Sequence, residues 1–320
     1  MTFLKKAISI LISCFFIYLC LKDIPLKNLF DKIDYNINLL LSALFLLFLI
    51  NIVKSLRLKI LLRNYKKKKF HFYFRPIILR QFFNTAFFLN AGEVITPLIL
   101  RKYFKCSYFE GLSILFSERL IDLTVITLIF GVTLFFNNFD LDNKIIYGYF
   151  LIYFSLVAFF LFIINYKKKI FFISNSVIQN FILGYKFSIR NKDILWISFF
   201  LSFTIWLIFI LIDLMIFRAF EITNPISTIP NIIFLTAVMV FSQFIPAAPA
   251  SVGIFNYFVI QTIEFFYKVQ GINYDLTTQI QLTSISVIVL LIYIIPDITL
   301  GSYVFYKESL QGLKKFKINR

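Results

Sequence analysis

The chain of 320 residues is 60% hydrophobic and 15% charged, with a mean hydropathy of +0.84. Soluble domains carry roughly 45–50% apolar and about 25% charged residues, so this composition excludes an ordinary soluble enzyme and points to helices buried in a bilayer. The net charge of +17 does not make a nucleic-acid binder, because the basic residues flank apolar segments instead of covering a soluble surface.

The first apolar segment, 7–21, follows Lys5 and Lys6. It reads as an uncleaved membrane helix and not as a signal peptide, since the run continues through Phe15, Phe16, Ile17, Tyr18 and Leu19 without a small-residue cleavage site. The charge-balanced stretch 22–36 suits the outer side, and segment 37–53 returns inward. The stretch from Lys54 to Arg80 holds Arg57, Lys59, Arg63, Lys66 to Lys69 and Arg75. By the excess of Lys and Arg in cytoplasmic loops it is assigned inside.

Segment 76–100 then decides the topology. A single crossing would leave Arg101, Lys102 and Lys105 outside and would turn the Lys167-Lys168-Lys169 triplet outward. A hairpin entering and leaving from the cytoplasm keeps every sign. Pro76 is expected to open its first arm, the run from Asn90 through Gly92 and Glu93 to break it, and Pro97 to interrupt the second arm. Broken backbone at membrane depth is tolerated where protein or a water-filled cavity covers it.

Segment 107–136 crosses outward to a loop carrying Asp140 and Asp142, and 145–165 returns to the Lys167 triplet. Segment 194–217 runs outward. Segments 229–245 and 250–267 form a second broken pair around Pro246, Pro249 and Gly253, and 279–305 returns to the cytoplasm. The expected fold is all-α, a polytopic helical membrane protein with about six full spans plus two broken or re-entrant hairpins, about eight transmembrane segments in all. Both termini are expected in the cytoplasm. A single membrane domain over 1–306 is followed by a basic tail, 307–320.

Ionisable residues inside apolar segments are expensive and point to function. Glu118 and Asp122 share a helix face at i,i+4, with Arg119 about 100° away. This group either neutralises itself as a structural cluster or faces a polar cavity. Glu93 at the hairpin break has three candidate partners, Arg80, Arg101 and Arg119. It could instead hold a proton or cation, or interact with the free N–H groups of the second arm. Asp213, Arg218, Glu264 and Asp297 are lesser candidates, and Trp196 reads as an interfacial anchor on the same segment as Trp206. Cys14, Cys20, Cys106 and the single His71 show no metal-ligand spacing and too few parts for a nucleophilic triad, so neither metal nor cofactor is expected.

Taken in order, Gly92-Glu93, Glu118-Arg119-Leu120-Ile121-Asp122, Pro246-x-x-Pro249-x-x-x-Gly253, and Pro296 before Gly301 give the chain a likeness. It resembles the lysylphosphatidylglycerol synthase transmembrane-region family, often described as flippase-like integral membrane proteins, and does so over nearly its whole length. The resemblance implies a flippase-like domain in the cytoplasmic membrane of a prokaryote, handling an anionic or polyprenyl-linked lipid. Aminoacyl transfer, which belongs to a soluble domain in the best-known members, is not carried over. Where the family usually has Pro-Gly-Gly this chain has Pro249-Ala250-Ser251, and Asn256 stands where an acidic residue is common. Asn90 and Thr96 occupy positions near the Gly-Glu pair where an arginine is frequent.

Three functions follow as expectations. The first is a lipid transporter with Arg119, Arg101 or Arg80 on a headgroup phosphate. The second is a non-transporting membrane partner of a glycosyltransferase or lipid-modifying enzyme. The third is a membrane-embedded transferase with Glu93 or Asp122 as general base.

Overall fold

The computed structural model describes residues 2–22, 35–88, 90–136, 192–220, 228–242, 245 and 249–318, with scattered positions between 148 and 185. The expected segment 145–165, the loop with Asp140 and Asp142, the Lys167 triplet and Pro246 lie outside the described residues. The described residues form nine α-helices and one 3-10 turn: α1 (Thr2–Leu21), α2 (Ile37–Leu61), α3 (His71–Ala86), α4 (Ala91–Phe104), α5 (Tyr108–Phe136), α6 (Lys192–Ala219), α7 (Ile229–Ser242), the turn Pro249–Ser251, α8 (Ile254–Val269) and α9 (Leu276–Ile318). Among them, Ile37–Leu61, Lys192–Ala219 and Leu276–Ser309 are each long and apolar enough to cross a membrane.

Helices α2 and α6 form an antiparallel pair. At one end the Asn36 N–H donates 2.7 Å to the Ala219 carbonyl, and near the other Arg57 reaches Ser202 at 2.5 Å. Small or polar residues let the backbones approach, with Ser55 on α2 and Ser198 and Ser202 on α6 all buried. Ala43, Leu47 and Ile50 of α2 join Ile121 and Val125 of α5, Ile212 and Ile216 of α6, and Leu282 and Val289 of α9 in one core. Large apolar side chains such as Phe45, Trp196 and Phe200 are exposed on the outside of the bundle, as lipid-facing surface requires.

The region 76–100 folds as two short helices. At 16 and 14 residues, α3 and α4 are about 24 and 21 Å long, short of a roughly 30 Å hydrocarbon core. Two expectations about prolines are corrected. α3 starts at His71, so Pro76 lies inside the first arm and does not open it. Pro97 does not interrupt the second arm, which is helical from Ala91 to Phe104. Pro97 packs on α5 where Gly111 leaves room, since a Cβ on Gly111 would come 3.0 Å from the Pro97 Cα. The break falls between the end of α3 at Ala86 and the start of α4 at Ala91, where Asn90 is left-handed (φ 50°). Gly92 is needed just beyond it, because a Cβ there would lie 2.1 Å from the Arg80 carbonyl oxygen.

The second pair, α7 and α8, has 14 and 16 residues and is antiparallel, with Phe234 stacked on Phe265. Its tip holds three positive-φ residues within four positions: Ala250 (φ 57°), Ser251 (φ 54°) and, after Val252, Gly253 (φ 84°). The two positions where the resembled family has glycine therefore keep a glycine conformation while carrying side chains. Each costs on the order of 1–2 kcal/mol. Gly253 meets α1, where an added Cβ would sit 2.7 Å from the Ser13 carbonyl.

α9 serves as a ruler for both pairs. Its N-terminal end, capped by Asp275 accepting from the Thr278 N–H at 2.8 Å, lies beside the end of α8 through Tyr267 and Tyr274. The hydroxyl and N–H of Thr278 hold the Asp275 carboxyl below the usual range. Its C-terminal half runs antiparallel to α3. Asp297 meets Thr85, Gly301 meets Phe82, and Glu308 meets Arg75 and also Lys102 of α4. The two pairs thus open at opposite ends of α9, and the tip turn Pro249–Ser251 touches α3.

Candidate functional site

Three arginines from three helices converge on the carboxylates of α4 and α5. Arg57 is 1% exposed and donates from both terminal nitrogens, to Glu118 and to Asp122. A further bond from Arg57 Nη2 to Asp122 Oδ2 is 3.0 Å, and Ser202 accepts from Nη1 at 2.5 Å. From the other side Arg80 forms a two-pronged bond with Glu118, at 2.8 and 2.9 Å. Such forked guanidinium–carboxylate geometry is the strong form of this contact. Glu118, 1% exposed, is therefore gripped by α2 and α3 at once.

Helical geometry accounts for the arrangement. Glu118 and Asp122 project one turn apart on α5, and Arg57 spans that spacing. Arg119 points elsewhere and pairs with Glu93 in the first turn of α4. This pair is the open edge of the group, with side chains 54% and 29% exposed. A carboxylate at that place also suits the positive end of α4. The three arginines balance Glu93, Glu118 and Asp122, so the group is neutral as a whole.

Two flanking charges extend the network with the same balance. Lys54, one turn before Arg57 on α2, lies over the Phe209 ring at 4.9 Å and within the electrostatic reach of Asp297. Asp297 accepts from Thr85 at 3.1 Å. On α3, the side-chain oxygens of Gln81 and Asn84 are buried with no hydrogen-bond donor among the described residues.

Of the residues singled out from sequence, Arg80, Glu93, Glu118, Arg119 and Asp122 come together. Arg101 does not: it is exposed in the last turn of α4, at the opposite end of that helix from Glu93. Arg57 was assigned to a cytoplasmic loop and is a buried member of the group, because α2 continues to Leu61. A signal existed. Leu47, Ile50, Asn51, Leu58 and Leu61 trace a buried helical face, and Lys54 and Arg57 continue its spacing. Arg218 is exposed at the end of α6, and Glu264 pairs with Lys268 at 2.7 Å.

Asp213 lies apart from this network. It is buried on α6, accepts from Tyr293 of α9 at 2.5 Å and lies within hydrogen-bond distance of the Thr236 hydroxyl of α7, at 2.6 Å.

Apolar helices of spanning length, short paired helices and a buried ion network define a multi-pass helical membrane protein. The chain belongs to the lysylphosphatidylglycerol synthase TM region family, whose sequence model matches residues 6–295. No curated protein and no solved structure matches it.

Proposed function

We propose that the chain is a flippase-like lipid transporter of a prokaryotic cytoplasmic membrane, with both termini inside. Its substrate is a lipid with an anionic headgroup, a polyprenyl-linked phosphate included. The observation that carries this reading is the Glu93–Arg119 pair. It sits half open at the edge of a closed arginine–carboxylate group and beside the break of a short helical hairpin. A phosphate is a better forked acceptor for Arg119 than a partly hydrated carboxylate, and it arrives with its own charge to replace that of Glu93. Gln81 and Asn84 supply acceptors for headgroup hydroxyl or ammonium groups. Short paired helices opening at opposite ends resemble the interrupted helices that form midplane sites in transporters.

The test is translocation of a fluorescent anionic phospholipid in proteoliposomes. Wild-type protein moves it across the bilayer, and Arg119→Ala reduces the rate at least tenfold. Equal rates in protein-free vesicles would overturn the reading.

A second reading, a non-transporting partner of a glycosyltransferase or lipid-modifying enzyme, is favoured by the self-neutralised state of the group formed by Arg57, Arg80, Glu118 and Asp122. It expects no translocation with wild-type protein and stable co-purification of such an enzyme.

A further inference from the structure

Asp213 is 1% exposed and among the described residues has hydroxyl partners only. The helices around it bring no charge to it. Lys54 and Arg57 of α2, Glu118 and Asp122 of α5, and Asp297 of α9 all belong to the arginine-centred network, and α7 contains no charged residue. Among the described residues the titratable group facing it is Tyr293.

Hydrogen counting favours the protonated acid. A threonine hydroxyl has one hydrogen to donate. Thr236 Oγ1 lies 2.6 Å from Asp213 Oδ2 and 2.8 Å from the Ile232 carbonyl oxygen. Were Asp213 ionised, that single hydrogen would serve two acceptors, and one contact would set lone pairs against each other. A proton on Oδ2 removes the conflict. Tyr293 then donates to Oδ1, Asp213 Oδ2–H donates to Thr236, and Thr236 donates back along its helix to Ile232.

From this geometry we infer that Asp213, Thr236 and Tyr293 form a proton-binding site, separate from the arginine network, which loads and releases one proton. On release the proton passes to water. Thr236 then turns its O–H from the Ile232 carbonyl to Oδ2, so the carboxylate keeps two hydroxyl donors. The three residues lie on α6, α7 and α9, so loading alters the contact between the second short pair and two long helices. Coupling of this proton to lipid movement rests on the transport reading given above; the site itself does not.

The site is tested by difference infrared spectroscopy of the full chain in nanodiscs, with carbon-13 aspartate to mark aspartic acid carbonyls. At neutral pH a protonated aspartate band is expected. Asp213→Asn removes it and Thr236→Val shifts its frequency by removing the acceptor. If no isotope-shifted acid band exists in wild-type protein, or if it survives Asp213→Asn unchanged, the proton site is overturned. If Asp213→Asn fails to fold, the frequency shift in Thr236→Val assigns the band to this site, and a band that Thr236→Val leaves unmoved overturns it.

Coupling is read separately in proteoliposomes with an imposed pH gradient. The gradient should change the wild-type translocation rate several-fold and leave the Asp213→Asn rate unaffected. An acid band without any wild-type translocation would leave the proton site standing and overturn the transport reading. Translocation indifferent to the gradient in both proteins would overturn the coupling.

Discussion

Glu118 and Asp213 are equally buried carboxylates in one helical bundle, and their surroundings are opposite. Glu118 accepts from two guanidinium groups carried by different helices, and Asp213 hydrogen-bonds with two hydroxyls, with no cation facing it among the described residues. A buried carboxylate needs a counter-charge or a proton. The first region solves the problem with arginines and becomes a rigid, charge-balanced junction of α2, α3 and α5. The second solves it with a proton and becomes a place whose charge can change. The same residue class is thus fixed in one region and switchable in the other.

The largest contrast comes from neutralising each carboxyl. Glu118→Gln removes the negative charge that Arg57 and Arg80 share, leaves Arg80 buried without a counter-charge and should destabilise the protein by about 3–5 kcal/mol. Asp213→Asn replaces a neutral acid by a neutral amide of the same shape and should cost less than about 1.5 kcal/mol. Thermal unfolding in one detergent measures both, and equal losses would break the comparison. Next in size is Gly92→Ala, which drives a methyl into the Arg80 carbonyl and displaces the arm that carries Glu93. Its expected cost is about 1–3 kcal/mol, together with weakened lipid translocation. A smaller loss, below about 1 kcal/mol, is expected for Glu308→Gln, because its pairs with Arg75 and Lys102 are partly exposed. The smallest effect is a gain. Ala250→Gly relieves a left-handed residue and should stabilise by up to about 1 kcal/mol after the added chain entropy is offset.

Part of this contrast was legible in the sequence. Glu118, Arg119, Asp122 and Glu93 stand out as ionisable groups in apolar segments, and the i,i+4 rule puts Glu118 and Asp122 on one face. Arg57 was hidden because counting loop charges treats every Lys and Arg between two apolar runs as loop, although α2 continues past it. Arg101 was read as a possible partner of Glu93 by nearness in sequence, but a helix of 14 residues sends its two ends in opposite directions. Pro76 reads as the opening of the first arm and Pro97 as an interruption of the second, yet both lie inside continuous helices, Pro97 with Gly111 fitted against it. The partners of Asp213 are 23 and 80 residues away, and no local pattern predicts contacts of that range.

The fixed half of this contrast depends on Arg80 and Glu118 forming one coupled unit inside the bundle. A double-mutant cycle with Arg80→Met, Glu118→Met and the double variant, followed by unfolding free energy in lipid-containing micelles, measures that coupling directly. The expected coupling is at least about 2 kcal/mol, with the double variant more stable than either single one. Additivity within about 0.5 kcal/mol would contradict the account.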